Sequence, residues 1–201
     1  MREITQDLHI HTIFSSGDSA VVPQQNLDTI AFAKHVDVVG ISDHFENFMP
    51  HRFQDYKEAL DIYGFLVGVE VNGYESVPMA VDYNFDYYIY HCWGDVSDDY
   101  LMVKRLLKTE KPVIIAHPYA TQTDLHRVPE ECYVEINNRY IWRYDWRKEL
   151  APFKNKFRWV ISSDAHQPNW LNQNYARQVA KELEIEETIL FAKKKPISME
   201  V

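Results

Sequence analysis

Short apolar runs recur along the whole chain, and six of its nine histidines sit where those runs end. The runs are Ile4–His11, Val36–Ser42, Phe65–Val71, Phe85–Tyr90, Pro112–Ala116, Cys132–Ile136 and Phe157–Ser162. Each has the length and the β-branched or aromatic content of a strand. The spacing of apolar residues predicts helices over Asn26–Val36, Phe53–Tyr63, Ser97–Glu110, Trp142–Leu150, Gln173–Leu183 and Glu186–Ala192. Nearly continuous apolar strands between helices imply a parallel sheet covered on both faces. A barrel and an open doubly wound sheet both meet that requirement. The polar residues separate them: His11, His44, Glu70, His91, His117 and Asp164/His166 stand at the C-terminal ends of successive strands. Barrels draw their working residues from many strand ends, whereas an open sheet concentrates them at one switch point. The expected architecture is an α/β, TIM-like barrel of seven strands, with residues 1–201 as one domain.

The first strand end is the densest. In Asp7-Leu8-His9-Ile10-His11-Thr12, strand alternation places Asp7, His9 and His11 on one face and Leu8 and Ile10 on the other. Two imidazoles on one face make a pair of metal ligands or two solvated edge residues, and the rest of the chain decides between them. His44, His91, His117 and His166 at other strand ends, with the carboxylates Glu70, Asp164 and Asp18, complete a set of imidazole and carboxylate donors without thiolate. Such a set suits Zn²⁺, Mn²⁺ or Fe²⁺. His9, His11, Asp18, His44, Glu70, His91, His117, Asp164 and His166 exceed what one tetrahedral ion needs, so two or three divalent ions are expected, with Glu70 as the natural bridge. His35, His51 and His126 fall at a helix end or in loops and read as locally bonded or exposed.

The totals limit the partners. A net charge of −9 argues against nucleic acid or an anionic membrane as the main partner. No apolar window approaches the length of a membrane span, and the first residues have no signal-like apolar core. Cys92 and Cys132 are the only cysteines, which gives no disulfide framework and no CxxC zinc site. These features describe a soluble protein of a reducing compartment, read as cytoplasmic. The oligomeric state is left open.

Asp7-Leu8-His9-Ile10-His11-Thr12, Ile41-Ser42-Asp43-His44, Gly68-Val69-Glu70, Ala116-His117-Pro118, Val134-Glu135-Ile136-Asn137 and Ser163-Asp164-Ala165-His166 together resemble the PHP (polymerase and histidinol phosphatase) superfamily, in that family's order. The resemblance implies a distorted (β/α)7 barrel, a trinuclear metal site and phosphoester hydrolysis. It implies one ion on His9, His11, Glu70 and Asp164, a second sharing Glu70 with His91 and His117, and a third on His44, His166 and a residue of the first loop. The usual place of that loop ligand is Gly17 here, one residue before Asp18, a departure from the family pattern. Tyr90-His91-Cys92 also has less typical flanks.

The expected reaction is hydrolysis of a small phosphomonoester by a hydroxide bridging two ions, with Glu70, Asp164 and His166 at its centre. Asn137, Arg139 and Arg143 are candidates for contact with the small phosphorylated substrate, the arginines through bidentate bonds to phosphate. Asp7 and Asp43 are candidates to hold the free nitrogen of a ligating histidine, and Glu135 to orient a neighbour. Tyr119 and Tyr140 read as core or rim, and Cys92 as a buried thiol pointing away from the site. The same donor set would serve a phosphodiesterase or nuclease, an amidohydrolase, or a metal-binding module without catalysis.

Overall fold

The computed structural model describes residues 4–197 apart from 16, 49 and 50. Seven parallel strands follow one another in chain order: β1 (Gln6–Asp7), β2 (Val38–Ile41), β3 (Leu66–Asn72), β4 (Tyr87–His91), β5 (Val113–Ile115), β6 (Tyr133–Asn137) and β7 (Arg158–Ser162). The sheet curls into a nearly closed barrel. At its C-terminal end the seam between β7 and β1 is joined by a bridge between Ile10 and Ala165, with His11 N donating to Ala165 O at 2.9 Å. Lower down, the Gln173 side-chain amide donates to Gln6 O at 2.8 Å and to Ile161 O at 2.9 Å. One side chain thus satisfies a carbonyl on each edge of the seam, where an unpaired buried group would be costly.

Among the described residues, seven α-helices cover the outside: α1 (Leu27–Ala33), α2 (Phe45–Phe48), α3 (Phe53–Tyr63), α4 (Val77–Ala80), α5 (Ser97–Leu107), α6 (Trp146–Glu149) and α7 (Asn174–Leu183). They depart from a regular strand–helix alternation: α2, α4 and α6 are four residues each, two helices lie between β2 and β3, and the chain between β5 and β6 has no described helix. α1 starts where the Asn26 side chain accepts from Thr29 N at 3.0 Å. α3 ends at Gly64, whose φ of 69° is left-handed and whose missing Cβ would meet Pro196 N at 2.7 Å. α5 begins at Ser97 itself, which is its first helical residue rather than its cap.

Two expectations fail locally. The helix expected over Trp142–Leu150 breaks at Tyr144, which is extended; a 3-10 turn (Ile141–Arg143) precedes it, and Asp145 caps a fresh start through its side chain. Glu186–Ala192 is not helical, and Glu187 bridges Trp159 in parallel. Thr188 N donates to Trp159 O at 2.7 Å and Leu190 N to Gln6 Oε1 at 2.9 Å, so this segment fills the base of the seam. Leu190 and Phe191 pack into the barrel floor, a demand that outweighs helical spacing. The chain is docked as far as Ile197, whose N donates to Asp61 O at 3.2 Å; residues 198–201 lie outside those described.

The interior is small. Leu8, Val38, Leu66, Tyr87, Ile89, Ile114, Ala116 and Val160 fill it. Tyr87 runs across it over Gly68, where a Cβ would lie 2.1 Å from the ring, and its hydroxyl donates to Leu8 O at 2.7 Å. On β3, period-two alternation turns Leu66, Gly68, Glu70 and Asn72 inward and Val67, Val69 and Val71 outward against the helices. Tyr87 is therefore the floor on which the polar mouth rests. No described helix is long and apolar enough to cross a membrane.

Candidate metal centre

The C-terminal mouth of the barrel holds a cavity of about 350 Å³. Its centre is Glu70, buried and fixed by the β3 ladder. One oxygen, Oε1, lies 3.1 Å from His9 Nε2, in short contact with His91 Nε2, and 3.9 Å from His117 Nε2. The other, Oε2, lies 3.2 Å from His11 Nε2 and 3.0 Å from His44 Nδ1. Five imidazoles from four strand ends thus surround one carboxylate.

The donor atoms form three groups, each with all its atoms within 4.8 Å of one another: His9, His11 and Asp164; Glu70, His91 and His117; and His11, Asp18, His44 and His166. Asp18 reaches the third group. Its Oδ2 lies 3.2 Å from His44 Nε2 and 2.9 Å from His166 Nε2, while Oδ1 accepts from Ala20 N at 2.8 Å. Gly17, at φ 111°, supplies the left-handed turn just before it.

Glu135 on β6 decides the chemistry of His9. Its Oε1 accepts from His9 Nδ1 at 2.8 Å, and its Oε2 accepts from His117 N at 2.8 Å and from Asn137 Nδ2 at 3.1 Å. A carboxylate only accepts, so the proton on His9 Nδ1 faces Glu135 and Nε2 is turned to the Glu70 oxygen. At 3.1 Å this contact holds either a proton on Nε2, as the raised pKa of His9 favours, or a metal ion in that proton's place. Two donors each about 2.1 Å from a tetrahedral ion stand about 3.4 Å apart, close to the observed 3.1 and 3.2 Å separations. Glu70 Oε2 and His91 Nε2 are also buried without an aligned hydrogen-bond partner. The donor set fits divalent ions.

The electrostatics agree. Burial opposes the charge on Glu70, yet the histidines around it, His91 foremost, hold its pKa well below the usual carboxylate value. Burial likewise opposes charge on His9, but Glu135, Glu70 and Asp164 raise its pKa well above normal. For His44 burial is overcome by Glu70 and Asp18, which push it up to about 10. Burial lowers His117 to about 4, keeping it a neutral ligand. The carboxylates concentrate negative potential where His9, Glu70 and Asp164 meet, and that potential calls for positive charge.

The structure places other candidates differently. Asn137 is fully buried beneath the cavity and spends its amide on Glu135 and on Asp164 Oδ2 at 3.1 Å, so it supports the carboxylates and does not face substrate. Arg139 lines the cavity, with Nη1 3.2 Å from Asp164 Oδ1. Arg143 lies outside it, in an adjoining depression. Asp7 does not hold a ligating histidine. It meets His35 Nε2 at 2.9 Å and accepts from Ser163 N at 3.1 Å, because pairing lapses after Asp7 and Leu8 turns into the barrel. Asp43 does not do so either: it accepts from Thr12 N, Thr12 Oγ1 and Ser15 Oγ, each at 2.6 Å, and pins the first loop. Tyr140 lines the mouth, and Tyr119 is buried core. Cys92 is buried, and burial pushes its thiol up to about 12.

Three cavity residues, Glu46, Asn47 and Asn72, escaped the sequence reading. Asn72 Oδ1 stands 3.3 Å from His91 Nδ1 and accepts from Trp93 Nε1 at 3.0 Å. It is two residues after Glu70 on the same strand, so period-two alternation marks its face. Glu46 accepts from Asn72 N at 3.0 Å and lies on α2, a single helical turn too short to show periodicity. Comparison with family models and with curated proteins finds no match for the chain.

Proposed function

We propose that the mouth of the barrel is a centre of two or three divalent ions, Zn²⁺, Mn²⁺ or Fe²⁺, that hydrolyses a small phosphomonoester. The observation that carries this reading is Glu70, with imidazole nitrogens against both carboxylate oxygens. The order of the strand-end motifs, which resembles the PHP superfamily, supports it as well. Bound ions would supply Lewis acidity, making water more acidic and neutralising charge on phosphate oxygens.

The chain's own residues do the rest. Glu135 fixes the tautomer and direction of His9, and Asn72 stands against the second ring nitrogen of His91. Asp164 closes the first group, held by Asn137 and Arg139. Asp18 and His166 close the third. Arg139 is the cation at the wall of the cavity, placed to receive a phosphate oxygen once ions occupy Asp164. Glu46 and Asp18 on the same walls repel a long polyanion, which favours a small ester over nucleic acid.

The test is metal analysis joined to phosphate release from a panel of monoesters and diesters with Mn²⁺, Zn²⁺ or Fe²⁺. The expected result is bound metal and monoester turnover, both lost in Glu70→Ala. Full turnover in that variant, or bound metal with hydrolysis of neither ester class, overturns the reading.

A further inference from the structure

Beside the metal cavity, on the far side of Arg139, lies a second depression of about 220 Å³. An apolar cavity of roughly 150 Å³ accepts a benzene ring, so this one has room for a single ring and not for a polymer. Its walls are unusual for an acidic protein: two arginines, Arg139 and Arg143, three aromatic rings, Trp142, Trp170 and Tyr175, and no carboxylate.

The side-chain amides around it are already engaged. Asn138 Oδ1 accepts from Tyr175 N and Ala176 N, and its amide donates to Asn172 Oδ1 at 3.1 Å. Ring faces and one guanidinium remain. Trp142 and Tyr175 are each 60% exposed, far more than large aromatics usually leave open. Arg143 rests on Trp142 at 4.9 Å and on Tyr140 at 5.2 Å and pairs with no carboxylate among the described residues. Arg139 borders both hollows, so a ligand anchored by phosphate at the ions passes it to enter the second one.

Resting on the phosphoesterase reading, we infer that this depression is a specificity subsite for the part of the ester beyond the scissile phosphate, and that it takes a planar ring carrying a second negative charge. The ring stacks on Trp142 and Tyr175, and Arg143 meets the anion. Arg143, with no carboxylate beside it among the described residues, disfavours a ring-bearing amine.

Non-hydrolysable phosphonates test this on the metal-loaded protein by titration calorimetry. The probes are methylphosphonate, and benzylphosphonates that are unsubstituted, 4-carboxy or 4-aminomethyl, on one- and three-carbon linkers. The 4-carboxy ligand is expected to bind about tenfold more tightly than the unsubstituted one, as a charge-assisted pair to Arg143 implies, with the aminomethyl ligand weakest of the ring series. Trp142→Ala should erase the advantage of the ring over methyl, and Arg143→Gln the advantage of carboxylate over unsubstituted. Equal affinity across the series, no binding at all, or preferences that survive both substitutions would overturn the subsite. Phosphate release plays no part in this readout, so failed hydrolysis speaks to the proposed reaction and equal phosphonate affinities speak to the subsite.

Discussion

Glu135 shows how much of a candidate metal centre is set by a residue outside the donor groups themselves. Both of its oxygens are spent, one on His9 Nδ1 and the other on His117 N and Asn137 Nδ2. In Glu135→Gln the amide can donate where the carboxylate only accepts, and His9 loses its fixed tautomer. Metal affinity measured by competitive titration should fall about 10- to 100-fold, the usual cost of losing such a partner, with the circular dichroism spectrum unchanged. Unchanged affinity would remove Glu135 from the account. This residue was partly readable in the sequence, because a carboxylate inside an apolar strand needs a partner. Asp7 and Asp43 were misread for the same kind of reason. Both are buried acids beside ligand histidines in sequence, but one faces His35 and the other holds the first loop. Adjacency along the chain carries no information about facing once a strand stops pairing, as β1 does after Asp7.

Among elements, β3 and β4 do the most to place the site. β3 carries Glu70 at its mouth and Gly68 two residues below, and β4 sends Tyr87 across the barrel over that glycine. Gly68→Ala would put a methyl 2.1 Å from a fully buried ring that has nowhere to move. Overpacking of this kind costs about 1–3 kcal/mol, more than the roughly 0.4–1 kcal/mol that alanine returns by stiffening the unfolded chain. The melting temperature should therefore drop by several degrees; a variant as stable as the parent would mean that Tyr87 is not the floor. Strand ends were the readable part of the site: every expected ligand histidine stands at or just beyond the end of a strand, because that is where an inward side chain meets the mouth. The helices were less so. α2 and α4 are single turns, below the length at which periodicity shows. Ile189-Leu190-Phe191 has helix-compatible spacing but serves a barrel seam formed by residues far away in sequence.

At the scale of the molecule, the C-terminal segment ties the barrel together. Lys194 Nζ meets Asp61 Oδ1 at 2.5 Å, and Lys57 Nζ meets Oδ2 at 2.5 Å, at the end of α3. Burial opposes the Asp61 charge, but Lys194 and Lys57 lower its pKa below the usual carboxylate value. A depressed folded-state pKa contributes stability above the unfolded value of about 3.9 and loses it as pH falls through the folded one. The gap in melting temperature between the parent and Asp61→Asn should be complete at neutral pH and should close below about pH 4. A gap independent of pH would mean that the amide disturbs packing and that the ion pairs do not tie the segment down.

The whole account stands on ions at the barrel mouth, and equilibrium metal content addresses that most directly. Protein freed of metal by chelation, exposed to Mn²⁺, Zn²⁺ or Fe²⁺ and separated from excess should hold two or three ions per chain, matching the three donor groups. Glu70→Ala, which removes the shared carboxylate, should hold fewer. A folded parent protein that retains no ion under these conditions would contradict the account.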